Sequence, residues 1–535
     1  MSSTTTTFSA LDRRTFFRGA GLTAAAILGT GLLGACSSAV GEQKAGAGTG
    51  AAGTPVRGGT LQTGITADVI PSTFLTNTAG STTVIGLAYD SLVRYPHDKV
   101  EPGPRLAKSW RLAADGLSLT LDLRDDVTFH SGRPFTSTDA EFSIRTYADP
   151  KWTAQLRSTA AAITAFDTSD PHRLGLTFAH PLGNIFDLLD TVPILDRESI
   201  DKLSAGEAFV GTGPFKLVSR TPNTALVFER NEHYWIPDRP FLDRVEVAII
   251  PDSQALLSSL KSGQVAVASG LNYRDNETLG KTNGFQSVSL EGAELQVYVG
   301  ANVTHPALAD VRVRRAVAYA VDRDRVIAEV FRGSGYPVNL PWPKTSPAYD
   351  EAKNGTYARD VAKAKAVLVE YGTPVPELPL TYQAGNPFYE ATAQIVQANL
   401  AEVGIPVRLD PQEGAAFVKQ LIGGTIPGLW TTFHSWAQYV PSTLTVSAYP
   451  FNALKNASHY ESPAYVAAAD EAWQVVDGTG ADAKAKYGAV SDQLLDGLFL
   501  VEIGVVLNQL AAAQKVHGID WTKRSEIVYT DAYLA

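Results

Sequence analysis

The chain has 535 residues, 44% hydrophobic and 19% charged, and its 45 Lys and Arg against 55 Asp and Glu give a formal net charge of −10. That length suits two or three domains with sizeable cores, and an acidic chain without a basic block excludes nucleic acid as the natural partner. The one cysteine, Cys36, excludes an internal disulfide, a thiolate metal site and a catalytic cysteine in the body that follows it.

The first pattern in the chain is Arg13-Arg14-Thr15-Phe16-Phe17-Arg18, then an apolar run from Gly19 to Ala35, then Cys36. A cationic segment, a short apolar segment, small residues and a cysteine form an export signal over 1–35 rather than part of a fold. The run is Gly- and Ala-rich and shorter than the ~20 residues a spanning helix needs. The adjacent arginines resemble a twin-arginine signal. Asp12 and Phe17 depart from its commoner form, which leaves export as an unfolded chain open. Leu33-Gly34-Ala35-Cys36 resembles a bacterial lipobox, which implies lipidation of Cys36 and an extracytoplasmic protein anchored to the cell membrane. Residues 36–56 are small and flexible, with nothing to bury, and read as a tether.

Beyond Gly59 the chain alternates between two periods. Leu119, Leu121 and Leu123 alternate with polar residues and predict a half-buried strand, as do Val245, Val247 and Ile249, and Leu295, Val297 and Val299. Asp310 is placed to cap a helix whose apolar stripe is Val313, Ala316, Val317, Ala320 and Val321, with Arg312, Arg314 and Arg315 on a solvated or salt-bridged face. Val361, Ala364, Leu368 and Tyr371 predict a second helix stopped by Gly372. Ala393, Val396, Leu400 and Val403 predict a third, followed by Gly404 and a strand through Ile405, Val407 and Leu409. Helix, glycine, strand at this spacing is α/β packing.

Four segments together resemble the extracytoplasmic solute-binding proteins of ABC importers, family 5, the peptide/nickel type. They are Ala88–Val93 with Pro104–Trp110 and Leu123–Gly132, Gly211–Leu217 with Arg230–Trp235, Asn302 through Ala316 with Asp322-Arg323, and Asp360–Ala364. The resemblance covers about 57–520. It implies an α/β, periplasmic-binding-protein-like fold (class II, Venus-flytrap) with an additional domain and a ligand cleft between two lobes. Domain I would be 57–87, 201–296 and 506–535, domain II 88–200 and domain III 297–505, with crossings near Val299 and Leu507. It also implies closure around a small-molecule or peptide ligand, delivery to an ABC permease, and a monomer.

In peptide-binding members of that family an acidic residue after a tryptophan pairs with the ligand's ammonium. The matching region here, Leu429 to Pro441, lacks it, and no Asp or Glu occurs between Glu413 and Glu461. A buried ammonium without a partner costs several kcal/mol, so a ligand without a conventionally held amine is expected. The same stretch carries Trp430, Phe433, Trp436, Tyr439 and Tyr449, rings that suit a sugar, a glycoside or an aromatic or alkyl compound. His434 is read as a hydrogen-bonding pocket residue. Trp152, Asn184 and Phe186 sit in segments that face ligand in relatives, and Phe74 in an early loop that often touches it.

No cofactor or metal is expected, because the nine histidines are dispersed with no helical pair. Neither a Gly-x-Ser-x-Gly elbow nor a His-Glu-x-x-His helix occurs, so a secreted hydrolase is the weaker rival. A peptide-binding protein with an atypical amine site fits the same residues, and so does a ligand sensor. Cys36→Ala is expected to move the protein from the membrane to the soluble fraction; retention at the membrane on fractionation would refute the lipid anchor.

Overall fold

A computed structural model describes residues 54–76 and 78–535. The export signal, Cys36 and nearly all of the tether lie outside the described residues. Among those described, no helix is long and apolar enough to cross a membrane.

The main sheet contains β1 (Thr60–Ile65), β2 (Phe215–Thr221), β3 (Ala225–Arg230), β4 (Arg244–Ile249), β5 (Val267–Ser269), β6 (Phe285–Ala301), β7 (Gly335–Pro337), β8 (Leu378–Gln383), β9 (Val407–Gln412), β10 (Leu429–His434) and β11 (Leu500–Ala513). Their order is β9-β8-β10-β6-β11-β5-β1-β4-β3-β2, and β7 adds to β11. Parallel pairs lie toward both ends, with β8 beside β9 and β10 in one wing and β1 beside β4 and β5 in the other. The long antiparallel strands β6 and β11 run through the middle. The alternation at Leu295, Val297 and Val299 therefore marks part of a strand of 17 residues.

Among the described residues the wings share only β6 and β11. Strand β10 pairs with residues 296–301 of β6, whereas β5 pairs with residues 510–512 of β11. The β6–β11 register shifts between Leu290 and Glu294 and again between Val297 and Tyr298, which bends and twists the ribbon between the wings. Gly292 occupies the first irregularity at φ +78°, and a Cβ there would lie 2.0 Å from the His97 carbonyl oxygen. Only glycine fits that approach.

A second sheet, antiparallel and four-stranded, is built from Ala107–Leu112, Ser118–Leu123, Arg173–Phe178 and Ile163–Asp170. Leu119, Leu121 and Leu123 fill its inner face and are fully buried, as their alternation predicts. The predicted helices form at Val311–Ala320, Val361–Tyr371 and Pro387–Glu402. Asp310 caps the first by accepting from Arg312 N, and Gly372 ends the second at φ +78°.

Arg314 corrects the expectation of a solvated arginine face. It is buried and donates to the carbonyls of Gly497, Leu308 and Ala309. A guanidinium offers five donors, so it can serve carbonyls that chain ends leave unpaired. Helical periodicity carries no record of those carbonyls.

Trp430 lies across Gly300, where a Cβ would come within 2.1 Å of the indole ring. Gly300→Val is expected to destabilise the protein by about 1–3 kcal/mol through overpacking, read as a lower denaturant midpoint at unchanged slope.

Candidate functional site

Directly opposed residues of antiparallel strands share a face of the sheet. Gln296 opposes His434, and Tyr298 opposes Thr432 on β10 and Glu502 on β11. One face of the middle three strands thus carries Gln296, Tyr298, His434 and Glu502, all buried. Tyr298 and His434 have ring centroids 5.7 Å apart, and Phe451 caps both, edge-on, at 6.3 Å and 4.7 Å. Trp430 adjoins the Tyr298 hydroxyl without a well-aligned hydrogen bond.

The polar atoms of this face are under-paired. Among the described residues, both amide atoms of Gln296, both ring nitrogens of His434 and both carboxyl oxygens of Glu502 make no hydrogen bond. His434 Nε2 is 3.8 Å from Glu502 Oε1, close enough for an ion pair but not for a bond. A buried polar group left unmade costs about 1–3 kcal/mol, and a fold does not cluster such groups for stability. Burial pushes the Glu502 carboxyl up, with His434 and Arg323 pulling against it. Arg323 spends its own donors on main-chain carbonyls, including that of Glu502.

A second group of polar side chains joins 88–200 to 435–447. Asp187 accepts from Tyr95 Oη at 2.8 Å, Thr443 Oγ1 at 2.6 Å and Val440 N at 3.1 Å. Asp190 accepts from Tyr95 N at 2.9 Å and Tyr439 Oη at 2.7 Å. Asn184 donates to Thr159 Oγ1 and Thr443 Oγ1 and accepts from Trp473 Nε1. Trp436 stacks on Tyr439 at 5.7 Å. Here every carboxylate oxygen is served. Burial still raises Asp187 to about 7 and Asp190 in the same direction.

Of the residues singled out from sequence, Trp430, His434 and Tyr449 lie at or beside the under-paired face. Tyr449 is close enough to raise the Tyr298 phenol, and burial pushes its own up to about 12. Trp436, Tyr439 and Asn184 fall in the second group. Phe433 points to the other face, stacked on Tyr389 at 5.7 Å. Phe74 is buried against Tyr89 and Phe209, each at 5.4 Å. Phe186 packs on Trp110 at 5.5 Å, and the Trp152 ring lies beneath Lys151 Nζ at 5.2 Å. Sequence reasoning missed Gln296, Tyr298 and Glu502. The available signal was a lone Glu502 inside Phe499-Leu500-Val501-Glu502-Ile503-Gly504-Val505-Val506, a run otherwise fit for a buried strand. Among the described residues no group of three or more His, Cys, Asp or Glu is placed to hold a metal ion.

A sheet of two wings joined by two crossing strands, with polar groups buried at the junction, defines a two-lobed binding protein. The profile of bacterial extracellular solute-binding proteins, family 5, matches residues 101–453, and the chain belongs to that family. It is 28% identical over 375 residues to heme-binding protein A of Haemophilus influenzae, covering 63% of this chain and 67% of that protein. It is 28% identical over 388 residues to the probable di/tripeptide-binding protein 5 of Pseudomonas aeruginosa, covering 67% and 72%. The binding protein AgaA of A. tumefaciens R10, solved with agropinic acid, superposes with a TM-score of 0.79 at 25% identity, covering 89% of this chain and 99% of AgaA. Helicobacter pylori DppA, solved with the peptide STSA, shares the fold at 23% identity, with a TM-score of 0.77 and coverage of 90% and 98%. The protein is a solute-binding component of an ABC importer.

The Asp187 carboxyl gives a pH signature. Its pKa rises from 3.8 to about 7 on folding, so the folded chain holds a proton between those values that the unfolded chain has lost. The resulting stability is complete below about 3.8 and is lost as pH rises through about 7. Asp187→Asn is expected to flatten that part of the stability–pH profile, measured by denaturant titration across pH. An unchanged profile would show that Asp187 does not titrate there.

Proposed function

We propose that this protein captures a small solute without a free amine in an interlobe cleft and passes it to a membrane permease. It would do so as a monomer, without chemistry on the ligand, held to the outer face of a membrane by a lipid on Cys36. The observation that carries the reading is the chemistry of the segment between Glu413 and Glu461. That segment has no carboxylate, and it supplies Trp430, His434 and Tyr449. Aromatic faces bury large area and leave polar edges for hydroxyl groups. The relative AgaA, solved with agropinic acid, supports a non-peptide solute within this fold.

Closure would rotate the two wings about β6 and β11. Domain I (57–87, 201–296, 506–535), domain II (88–200) and domain III (297–505) remain the proposed bodies, with the Asp187 and Asp190 bonds to residues 439–443 holding the closed state. Export through a twin-arginine signal would deliver the body already folded. One acyl chain binds a membrane marginally, so the anchor would need a second chain.

The test is native mass spectrometry of the body from about Pro55, compared before and after denaturation. A released sugar or other amine-free compound is the expected result. A released peptide would overturn the amine-free reading.

A further inference from the structure

We propose that Gln296, Tyr298, His434 and Glu502 form the head-group site of the cleft, and that the solute they hold is an uncharged polyhydroxylated compound, a sugar or a sugar conjugate. The inference rests on the solute-binding reading above and names the ligand class for it.

These side chains lack hydrogen-bond partners among the described residues. Gln296 is fully buried with an acceptor and two donors unmatched, and Glu502, 2% exposed, has both carboxyl oxygens unmatched. Their neighbour His434 presents one donor and one acceptor in its neutral form. An amide, an imidazole and a carboxylate together ask for a ligand that donates and accepts at several points within a few ångströms. Hydroxyl groups do both, and vicinal hydroxyls do so at that spacing.

Charge around Glu502 disfavours an ionic head group. An ammonium ligand needs a carboxylate with no other cation nearby. Glu502 already lies in the field of buried Arg323, whose guanidinium donates to the Glu502 carbonyl at 2.8 Å, and it faces His434 at 3.8 Å. A second cation would meet Arg323 across a poorly screened interior. An anion would meet Glu502 itself. A neutral head meets neither.

Trp430, Tyr298, Tyr449 and Phe451 place rings around these polar atoms. The C–H faces of a sugar ring stack on such surfaces while its hydroxyls reach the polar edges. Phe451 follows the helix Pro441–Ser447, which opens with Val440 and Thr443 bonded to Asp187. The segment covering the site is thus tied to residues 88–200, so release of that tie would open the way in.

The test is a thermal-shift titration of the full-length chain in detergent, with glucose, maltose, sucrose, trehalose and the dipeptide dialanine as solutes. At least one sugar is expected to stabilise the wild type in proportion to its concentration. Glu502→Gln and Gln296→Leu are expected to weaken that sugar at least ~10-fold. Both variants, without solute, are expected to melt no lower than the wild type, since Gln296→Leu removes unmatched buried polar atoms and Glu502→Gln removes the charge a buried carboxyl can carry. A sugar shift that survives in both variants, no shift with any sugar, or variants that melt lower yet bind normally each overturns the proposal. Stabilisation by dialanine alone also overturns the sugar class, while leaving the protein a binding protein for another solute.

Discussion

The antiparallel pairing of β6 with β11 is the constraint on which the rest of the molecule depends. Among the described residues these are the only strands common to both wings of the main sheet, and most of their residues from 292 to 301 and from 500 to 506 are buried. The pairing cannot be given up, so any relative movement of the wings has to be absorbed as twist. The two register shifts, at 290/294 and 297/298, place that twist beside Gln296 and Tyr298. The under-paired side chains and the register shifts of the ribbon therefore fall at neighbouring positions.

Two sets of buried acids show how differently the fold treats a carboxylate. Asp187 and Asp190 have every oxygen bonded and join 88–200 to the 439–443 segment. The Glu502 carboxyl makes no hydrogen bond among the described residues, although it is as deeply buried. Satisfied networks rigidify a junction, whereas an unsatisfied group costs stability and persists when something other than stability selects it. The contrast separates a structural junction from a candidate binding surface.

The elements were legible where their periodicity was local. The stripe from Val313 to Val321, the cap at Asp310 and the stop at Gly372 are all realised. The candidate site was half legible. Trp430, His434 and Tyr449 came from composition, because five rings in an acid-free stretch are conspicuous. Gln296 and Glu502 did not, because nothing local links two polar residues on separate strands, and only cross-strand register brings both beside His434. Phe433 and His434 are adjacent in sequence yet lie on opposite faces, which a count of aromatics cannot show.

By itself the sequence determined the α/β class, the family and the missing acid between Glu413 and Glu461, because each is written in local order, spacing or composition. Tertiary structure alone decided that Arg314 is buried and that Phe74 packs in the core. It also decided that Asp187 and Asp190 meet residues 439–443, and that Glu502 faces His434, which lies 68 positions earlier in the chain. The physical reason is that side-chain partners are set by strand register and by which segments cover a sheet face, and neither is encoded in the neighbours along the chain.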